Sequence, residues 1–398
     1  MRQWLNLSHI STGFVVVLVG YTSSAVIVFQ AAAAAGASAA ELSSWLWALG
    51  IGMGATSIGL SLYYKKPVVT AWSTPGAALL VTSLAGLDMA QAIGVFLFSS
   101  GLIALCGLTG WFNLIMRQVP VCLAAAMLGG VLLNFGLDLF LAADTSLWLV
   151  IAMLGSYLLL KPVLPRYCIP LVLCVGIAGC VIGGELAWQS VDFELAVPLF
   201  IMPEFSWSAL IGVGIPLFVV TMASQNVPGV AVIRANGYDT PISPLISTTG
   251  LTGVLLAPFG GFSFCLAAIT AAICMSEEAD PDAEQRYRSS VWAGVFYVFA
   301  GVFGATVAAL FAAFPQALIM CIAGLALLST IANSLSAAFT EAAHREAAML
   351  TFLLTASGVS LLGVSSAFWG LLLGLLAYHS RKLWQPVTRA AANTAPKS

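Results

Sequence analysis

The sequence predicts an all-α membrane protein with 14 transmembrane segments, arranged as a 7+7 inverted repeat in which spans 3 and 10 are broken into a short extended segment plus a half-helix. Three observations predict this fold: the composition, the placement of the basic residues, and motifs that recur in both halves. Hydrophobic residues make up 60% of the 398 and only 8% are charged, whereas about a quarter of a soluble domain is charged. Most side chains must therefore face lipid or one another.

Apolar runs long enough to cross a bilayer divide the chain into two halves. Spans of the first half are predicted near 10–32, 43–64, 68–85, 90–116, 119–141, 146–162 and 168–184, and those of the second near 208–233, 242–257, 262–276, 287–312, 315–333, 344–361 and 365–380. The halves are therefore residues 1–184 and 208–380, with a polar periplasmic linker at 185–207 and a cytoplasmic tail at 381–398. The first run is too long for a signal-peptide core and is predicted to be an uncleaved helix.

Basic residues supply an independent check on the span count. With the N-terminus inside, all 14 Lys and Arg residues fall in cytoplasmic connections, while the outer connections carry only acidic charges. A miscounted helix would scatter the basic residues over both faces. The sequence therefore predicts a multi-pass protein of the bacterial inner membrane with both termini in the cytoplasm.

Repeated motifs relate the two halves, and because seven is odd the second half must be inverted. Trp72-Ser73, followed after three residues by two alanines in span 3, reappears as Phe262-Ser263, followed after three residues by two alanines in span 10. Spans 4 and 11 share Gly-Val-Phe, and spans 5 and 12 share Pro, Leu and Gly at identical offsets.

The breaks in spans 3 and 10 are the first candidate site. Residues 67–72 are Pro-led and β-branched, which favours extended chain, and Ser73 or Thr74 is a good N-cap with Pro75 at the first helical position. In span 10, an irregular stretch at 258–263 is predicted to precede a helix over 264–275 capped by Ser263. Two half-helix N-termini would then form an anion site without Lys or Arg. The alternative is a pair of structural kinks.

Polar residues inside other spans are the second candidate. Gln225 and Asn226 are adjacent amides in span 8, with Pro228 predicted to break the helix just after them. They either join helices or contact a ligand, since a buried amide needs partners. Residues 21–24 of span 1 are a short polar segment near mid-depth, which either faces the candidate binding site or lies away from it. Asn134 and Asn333 are predicted to make interhelical hydrogen bonds.

The predicted set of substrate-binding residues is drawn from these segments: Thr22, Trp72, Ser73, Thr74, Gln225, Asn226, Phe259, Gly260, Ser263 and Phe264. No enzyme is predicted, because the spans contain neither a Ser/His pair nor two facing aspartates. No metal or cofactor is expected, since the cysteines form no CxxC pattern and the acidic loop around Asp280 is predicted to be solvated. The net charge of −2 gives no sign of a nucleic-acid partner.

Four segments carry a resemblance to a known family: 70–78 (TAWSTPGAA), 222–226 (MASQN) with Pro228-Gly229, 267–274 (AAITAAIC) and 366–370 (SAFWG). They resemble the benzoate:proton symporter family (BenE type) over essentially the whole chain. That family is similar in architecture to uracil/xanthine permeases and sulfate-type anion transporters.

The resemblance implies a core domain of spans 1–4 and 8–11 that moves against a gate domain of spans 5–7 and 12–14. It implies import of benzoate or a related aromatic carboxylate, with protons, bound between spans 3, 8 and 10. Nucleobase permeases have an acidic residue on span 8 where this chain has Gln225, which favours an anionic substrate and leaves the proton carrier unassigned. A same-fold permease or channel for another anion or a nucleobase-like ring is the alternative. A homodimer is compatible with the sequence.

Overall fold

The computed structural model describes residues 6–111, 120–165, 167–186, 193–277, 279–359, 361 and 365–393. Its first half contains α1 (Leu7–Ala34), α2 (Ala39–Tyr64), strand β1 (Thr70–Trp72), α3 (Thr74–Ser83), α4 (Met89–Leu108), α5 (Val121–Leu141), α6 (Ala143–Val163) and α7 (Cys168–Gly183). The last residues of predicted span 4 lie outside the described residues.

The second half begins with α8 (Trp207–Arg234), a continuous helix that contains π-helical turns at Leu210–Gly214 and Met222–Asn226. It continues with α9 (Ile242–Leu256), a 3₁₀ turn (Ala257–Phe259), strand β2 (Phe264–Leu266), α10 (Ile269–Met275), α11 (Tyr287–Val302), α12 (Gly304–Ala312), α13 (Gln316–Phe339), a second 3₁₀ turn (Ala342–His344), α14 (Arg345–Ala356) and α15 (Ser366–Asn393). Helix α15 extends past residue 380 into the segment predicted as a tail.

Long apolar helices dominate the described part of the chain. Eight of them are long and apolar enough to cross a membrane, or nine if α11 and α12, which meet at a bend of 68°, count as one span. The molecule is therefore a mostly helical, multi-pass membrane protein. Helix length does not decide the predicted count of fourteen, because α3 and α10 have only 10 and 7 residues and a straight span needs about 20.

The helix pairs with the most extensive contacts each join one helix of the first half to one of the second: α2 with α11, α4 with α9, and α5 with α13. Glycines allow the first of these contacts. A Cβ on Gly54 would lie 2.7 Å from the carbonyl oxygen of Gly294, and one on Gly301 would lie 2.9 Å from the Cα of Gly50. Backbones packed this closely are typical of membrane helices, in which small residues let dispersion contacts form.

The predicted linker packs against helix ends where it is described. Residues 193–206 form no helix. Instead, Ala196, Ile201 and Glu204 donate their backbone N–H groups to the carbonyl oxygens of Val302, Pro258 and Ala90, at 2.8, 2.8 and 2.9 Å. The described part of the linker is therefore hydrogen-bonded to α4, to the 3₁₀ turn after α9 and to α11.

The acidic loop after α10 is more ordered than a solvated loop, so that prediction is wrong for Asp280. An Asp280 carboxylate oxygen lies 2.7 Å from Nε2 of His9, whose side chain is only 1% exposed. Glu284, in contrast, is 67% exposed and pairs with Lys66 at 2.9 Å. Asp280 is held against the interior and Glu284 is not, because the buried ring of His9 needs a hydrogen-bond partner and Asp280 supplies it.

Candidate substrate cavity

The two predicted breaks meet as a short antiparallel strand pair. Thr70 of β1 lies opposite Leu266 of β2, and Trp72 lies opposite Phe264. Just beyond the strands, the Ser73 N–H donates to the Ser263 carbonyl and the Ala267 N–H to the Val69 carbonyl, each at 3.0 Å. This pairing satisfies backbone groups that would be costly to leave bare inside an apolar molecule.

Helix α3 starts immediately after β1, at the residues where the sequence predicted a half-helix. The Ser73 hydroxyl accepts a hydrogen bond from the Gly76 N–H at 3.0 Å, and Pro75 occupies the first turn. Proline fits there because its missing N–H would have no helical partner in any case.

The helix predicted over 264–275 starts later than expected. Residues 264–266 form β2, and α10 begins at Ile269. Ser263 does not cap it, since it precedes the strand with φ of 41°. Pairing with β1, and an Asn226 side chain that accepts the Leu266 N–H at 2.9 Å, hold this stretch extended. The repeated motif therefore aligns Ser73, which caps α3, with Ser263, which precedes β2, so these two serines do not occupy equivalent positions in the structure.

A cavity of about 550 Å³ opens beside the starts of α3 and α10. Its volume lies in the usual range of ligand sites, roughly 300–1,000 Å³. One wall is built from parts of α1, β1, α3, α8 and α10, with Met53 of α2 and Tyr297 of α11. The other wall consists of α5 and α13. No charged side chain lies among these lining residues.

An aromatic cluster fixes one side of the cavity. The indole N–H of Trp72 donates to the Ser24 hydroxyl at 2.9 Å, and the Tyr21 ring contacts Trp72 edge to face with the centroids 4.9 Å apart. The indole is 4% exposed. Because both its polar edge and its packing are fixed, Trp72 presents a rigid apolar surface to the cavity.

The adjacent amides of α8 lie in different surroundings. Gln225 is half-buried and lines the cavity, and its side chain makes no hydrogen bond within the described residues. Asn226 is fully buried; its oxygen accepts the Leu266 N–H, and its nitrogen lies 3.1 Å from the Met222 sulfur. Asn226 is therefore placed to hold β2, whereas the Gln225 amide lies on the cavity.

Pro228 does not break α8, contrary to the prediction. The helix continues through it as part of Val227–Ala235, preceded by the π-helical turn over Met222–Asn226. The wider turn, in which the Val227 N–H donates to the Met222 carbonyl, accommodates a proline that offers no N–H to the preceding turn. Such π-turns are frequent at functional sites, and this one places Gln225 on the cavity.

The predicted site residues divide into two groups. Trp72, Thr74 and Gln225 line the cavity. The others lie outside its lining. Four of them have backbone roles or positions: the Thr22 hydroxyl donates to the Leu18 carbonyl at 2.7 Å, Ser73 caps α3, Asn226 holds β2, and Ser263 precedes β2. The other three pack against side chains or backbone elsewhere: Phe259 on Trp47 and Phe200, Gly260 on Trp45, and Phe264 on Gly52. Because α10 starts at Ile269, the cavity meets residues 267–270 instead.

The second wall was not predicted from the sequence. Helix α5 contributes Val121, Ala124, Ala125 and Leu128, and α13 contributes Thr330, Asn333, Ser334 and Ala337. Each set has the i, i+3, i+4, i+7 spacing of one helix face. Helical spacing is visible in the sequence, but most faces of a membrane helix show it, so it does not single out these two. Asn333, predicted to bond between helices, makes no hydrogen bond within the described residues and faces the cavity.

Comparison with protein families decides the identity of the chain. Residues 3–380 match the family model described as "Benzoate membrane transport protein", BenE. The chain belongs to the BenE family. It is therefore a membrane transport protein, in accordance with the resemblance in its motifs.

Two curated relatives are consistent with this BenE assignment, and a solved structure shares the fold. "Inner membrane protein YdcO" of Escherichia coli (strain K12) is 50% identical over 92% of this chain and 94% of its own length. "Benzoate membrane transport protein" of Acinetobacter baylyi (strain ATCC 33305 / BD413 / ADP1) is 41% identical over 95% of this chain and 96% of its own. The transmembrane domain of the cyanobacterial bicarbonate transporter BicA shares the fold, with a TM-score of 0.60 and 14% identity over 93% of this chain and 96% of that one.

Proposed function

We propose that this BenE-family protein imports benzoate or a related aromatic carboxylate, with protons, across the bacterial inner membrane. The carrying observation is the 550 Å³ cavity, whose lining combines apolar surfaces, two helix starts and the Gln225 amide, which has no partner among the described residues, and includes no charged side chain. The curated relative of Acinetobacter baylyi, named for benzoate transport, supports the choice of substrate.

The carboxylate is placed at the starts of the half-helices. Thr74 and Pro75 of α3 line the cavity, as do Ala268, Ile269 and Thr270 at the start of α10. The start of a helix carries a partial positive charge. In α3 the Thr74 N–H is the group left for an anion, since Pro75 has none and the Gly76 N–H donates to Ser73. The Gln225 amide can donate a further hydrogen bond to the anion.

The ring is placed against the apolar surfaces of the same cavity. Trp72 and Met53 lie on one wall, and Val121 and Leu128 lie on the other. An aromatic ring gains about 25 cal/mol for each Å² of apolar surface that it removes from water. This arrangement suits a flat apolar ligand with a single anionic end.

Alternating access of a core against a gate is the proposed mechanism. The cavity lies between spans 1–3, 8, 10 and 11 on one side and spans 5 and 12 on the other, which is the proposed division between the two domains. If each element is exchanged for its counterpart in the other half, the α2–α11 contact becomes the α9–α4 contact. The α5–α13 and β1–β2 contacts then correspond to themselves. The observed packing thus supports a 7+7 inverted repeat of 14 spans.

The proposed orientation has both termini in the cytoplasm and residues 193–206 outside. The cavity is lined by the start of α5 and the end of α13, which are their cytoplasmic ends in this orientation, and this supports the proposal that the cavity serves the cytoplasmic side. Cys174 is the exposed cysteine and the others are buried. In a Cys174→Ser background, we expect Glu194→Cys to react with a membrane-impermeant maleimide from the periplasmic side. Reaction from the cytoplasmic side alone would contradict the topology.

The proposed substrate is tested by the charge of the ligand. Purified protein should bind benzoate more tightly than benzamide, because each helix end contributes roughly 0.3–1 kcal/mol toward an anion, and up to about 2 kcal/mol when partly buried. Calorimetric titration measures both affinities. Equal affinity for the two ligands would show that the site does not read charge, and would favour a permease for a neutral ring.

Proton coupling is tested in proteoliposomes. Labelled benzoate should accumulate inside when the outside is more acidic, and should only equilibrate when the gradient is collapsed by a protonophore. Protein-free liposomes control for passive entry of neutral benzoic acid. Initial rates are compared, because passive entry and electroneutral symport reach the same final distribution. A protein-dependent rate that does not change with the pH gradient would remove protons from the mechanism.

A further inference from the structure

The two helices of the second cavity wall have opposite chemistry. The face that α5 turns to the cavity is entirely apolar, formed by Val121, Ala124, Ala125 and Leu128. The corresponding face of α13 carries Thr330, Asn333 and Ser334, with Ala337 as its only apolar member. Because α5 and α13 pack against each other, an apolar strip and a polar strip lie side by side across from Trp72.

Asn333 is the strongest hydrogen-bonding group of the polar strip. Its side chain is exposed to the cavity and makes no hydrogen bond within the described part of the chain. An amide offers two donors and an acceptor with two lone pairs. Asn134, the asparagine on α5, is also exposed but lies outside the cavity lining. It therefore serves as a control for the effect of Asn333.

A benzoate ring leaves this strip unused. With the carboxylate at the starts of α3 and α10, the rest of the ligand extends toward α5 and α13, and an unsubstituted ring offers hydrogen only on carbon. When the two walls close and exclude water, the amide of Asn333 would then lose its hydrogen bonds without replacement. A site built with such a group disfavours the ligand that lacks the matching polar atom.

We propose that Thr330, Asn333 and Ser334 recognise a hydrogen-bonding substituent on the ring, so that the preferred substrates are hydroxylated benzoates. The apolar strip on α5 covers the face of the ring, and the amide on α13 pairs with a meta or para hydroxyl group. The inference rests on the proposed function, since it assumes that an aromatic carboxylate occupies the cavity. It adds which members of that class bind best and which residue distinguishes them.

The test compares three ligands on four proteins by calorimetric titration: benzoate, meta-hydroxybenzoate and para-hydroxybenzoate, on the wild type, Asn333→Leu, Asn333→Ala and Asn134→Leu. The wild type should bind one hydroxybenzoate roughly tenfold more tightly than benzoate, the ratio expected from one additional buried hydrogen bond. Both Asn333 variants should lose that ratio, because hydroxybenzoate loses its hydrogen bond and benzoate, which no longer leaves an amide unpaired, binds at least as tightly as to the wild type. Asn134→Leu should retain the ratio. Thermal unfolding of each variant verifies that it is folded, and Asn333→Ala replaces Asn333→Leu if the larger side chain disturbs α13.

Three outcomes would overturn the inference. An equal loss of benzoate and hydroxybenzoate binding in the Asn333 variants would place the carboxylate, not the hydroxyl, at α13. An unchanged ratio in those variants would show that Asn333 makes no contact with the hydroxyl group. A wild-type protein that binds benzoate more tightly than both hydroxybenzoates would contradict the proposed preference itself. The failure of the proposed function is a separate result: the wild type would then bind none of the three ligands.

Discussion

Replacing Gln225 by alanine is expected to weaken benzoate binding by roughly 1–3 kcal/mol, the usual cost of losing a buried hydrogen bond. The amide lines the cavity and has no partner within the described residues, so its removal breaks no internal contact. Stability should therefore be nearly unchanged. Titration of purified protein measures the affinity, and thermal unfolding in detergent measures the stability.

The neighbouring amide is the matched control. Asn226→Ala removes the acceptor of the buried Leu266 N–H and leaves a space beside β2, so it should lower stability by about 1–3 kcal/mol. The two alanine variants should thus have opposite profiles. Normal benzoate affinity in a folded Gln225→Ala protein would remove Gln225 from the site.

Replacing Gly260 by valine is expected to destabilise the protein by roughly 3 kcal/mol or more. Gly260 has φ of +92°, a conformation that costs a β-branched residue about 1–3 kcal/mol. A Cβ at this position would also overlap the ring of Trp45, which is completely buried, and overpacking adds about 1–3 kcal/mol. The yield of folded protein and its unfolding temperature measure the effect.

Gly36→Val separates the two causes. Gly36 also has positive φ, +71°, but a Cβ there would meet nothing within 4 Å. It should show the backbone strain without the overlap, and so lose clearly less stability than Gly260→Val. The sequence predicted Gly260 to be a substrate-binding residue, whereas Trp45 occupies the space beside it. A Gly260→Val protein as stable as Gly36→Val would contradict the packing described for Trp45.

The composition by itself determined that most of this chain lies in a membrane. With 8% charged residues and a mean hydropathy of +1.01, no water-soluble packing could hide so much apolar surface. Local chemistry also determined where α3 begins. Ser73 and Pro75 act within one turn of the chain, and capping depends only on that turn.

Tertiary contacts decided the start of α10 and the composition of the cavity. Residues 264–266 are extended because β1 and Asn226, which are remote in sequence, supply their hydrogen bonds. Which of two adjacent amides lies on the cavity depends on the π-turn of α8 and on how that helix packs. The face of α13 that carries Asn333 is defined only by what lies across the cavity. A residue's own neighbours in sequence set its helix and its cap, but contacts between distant segments set the direction its side chain faces, and no local pattern contains that information.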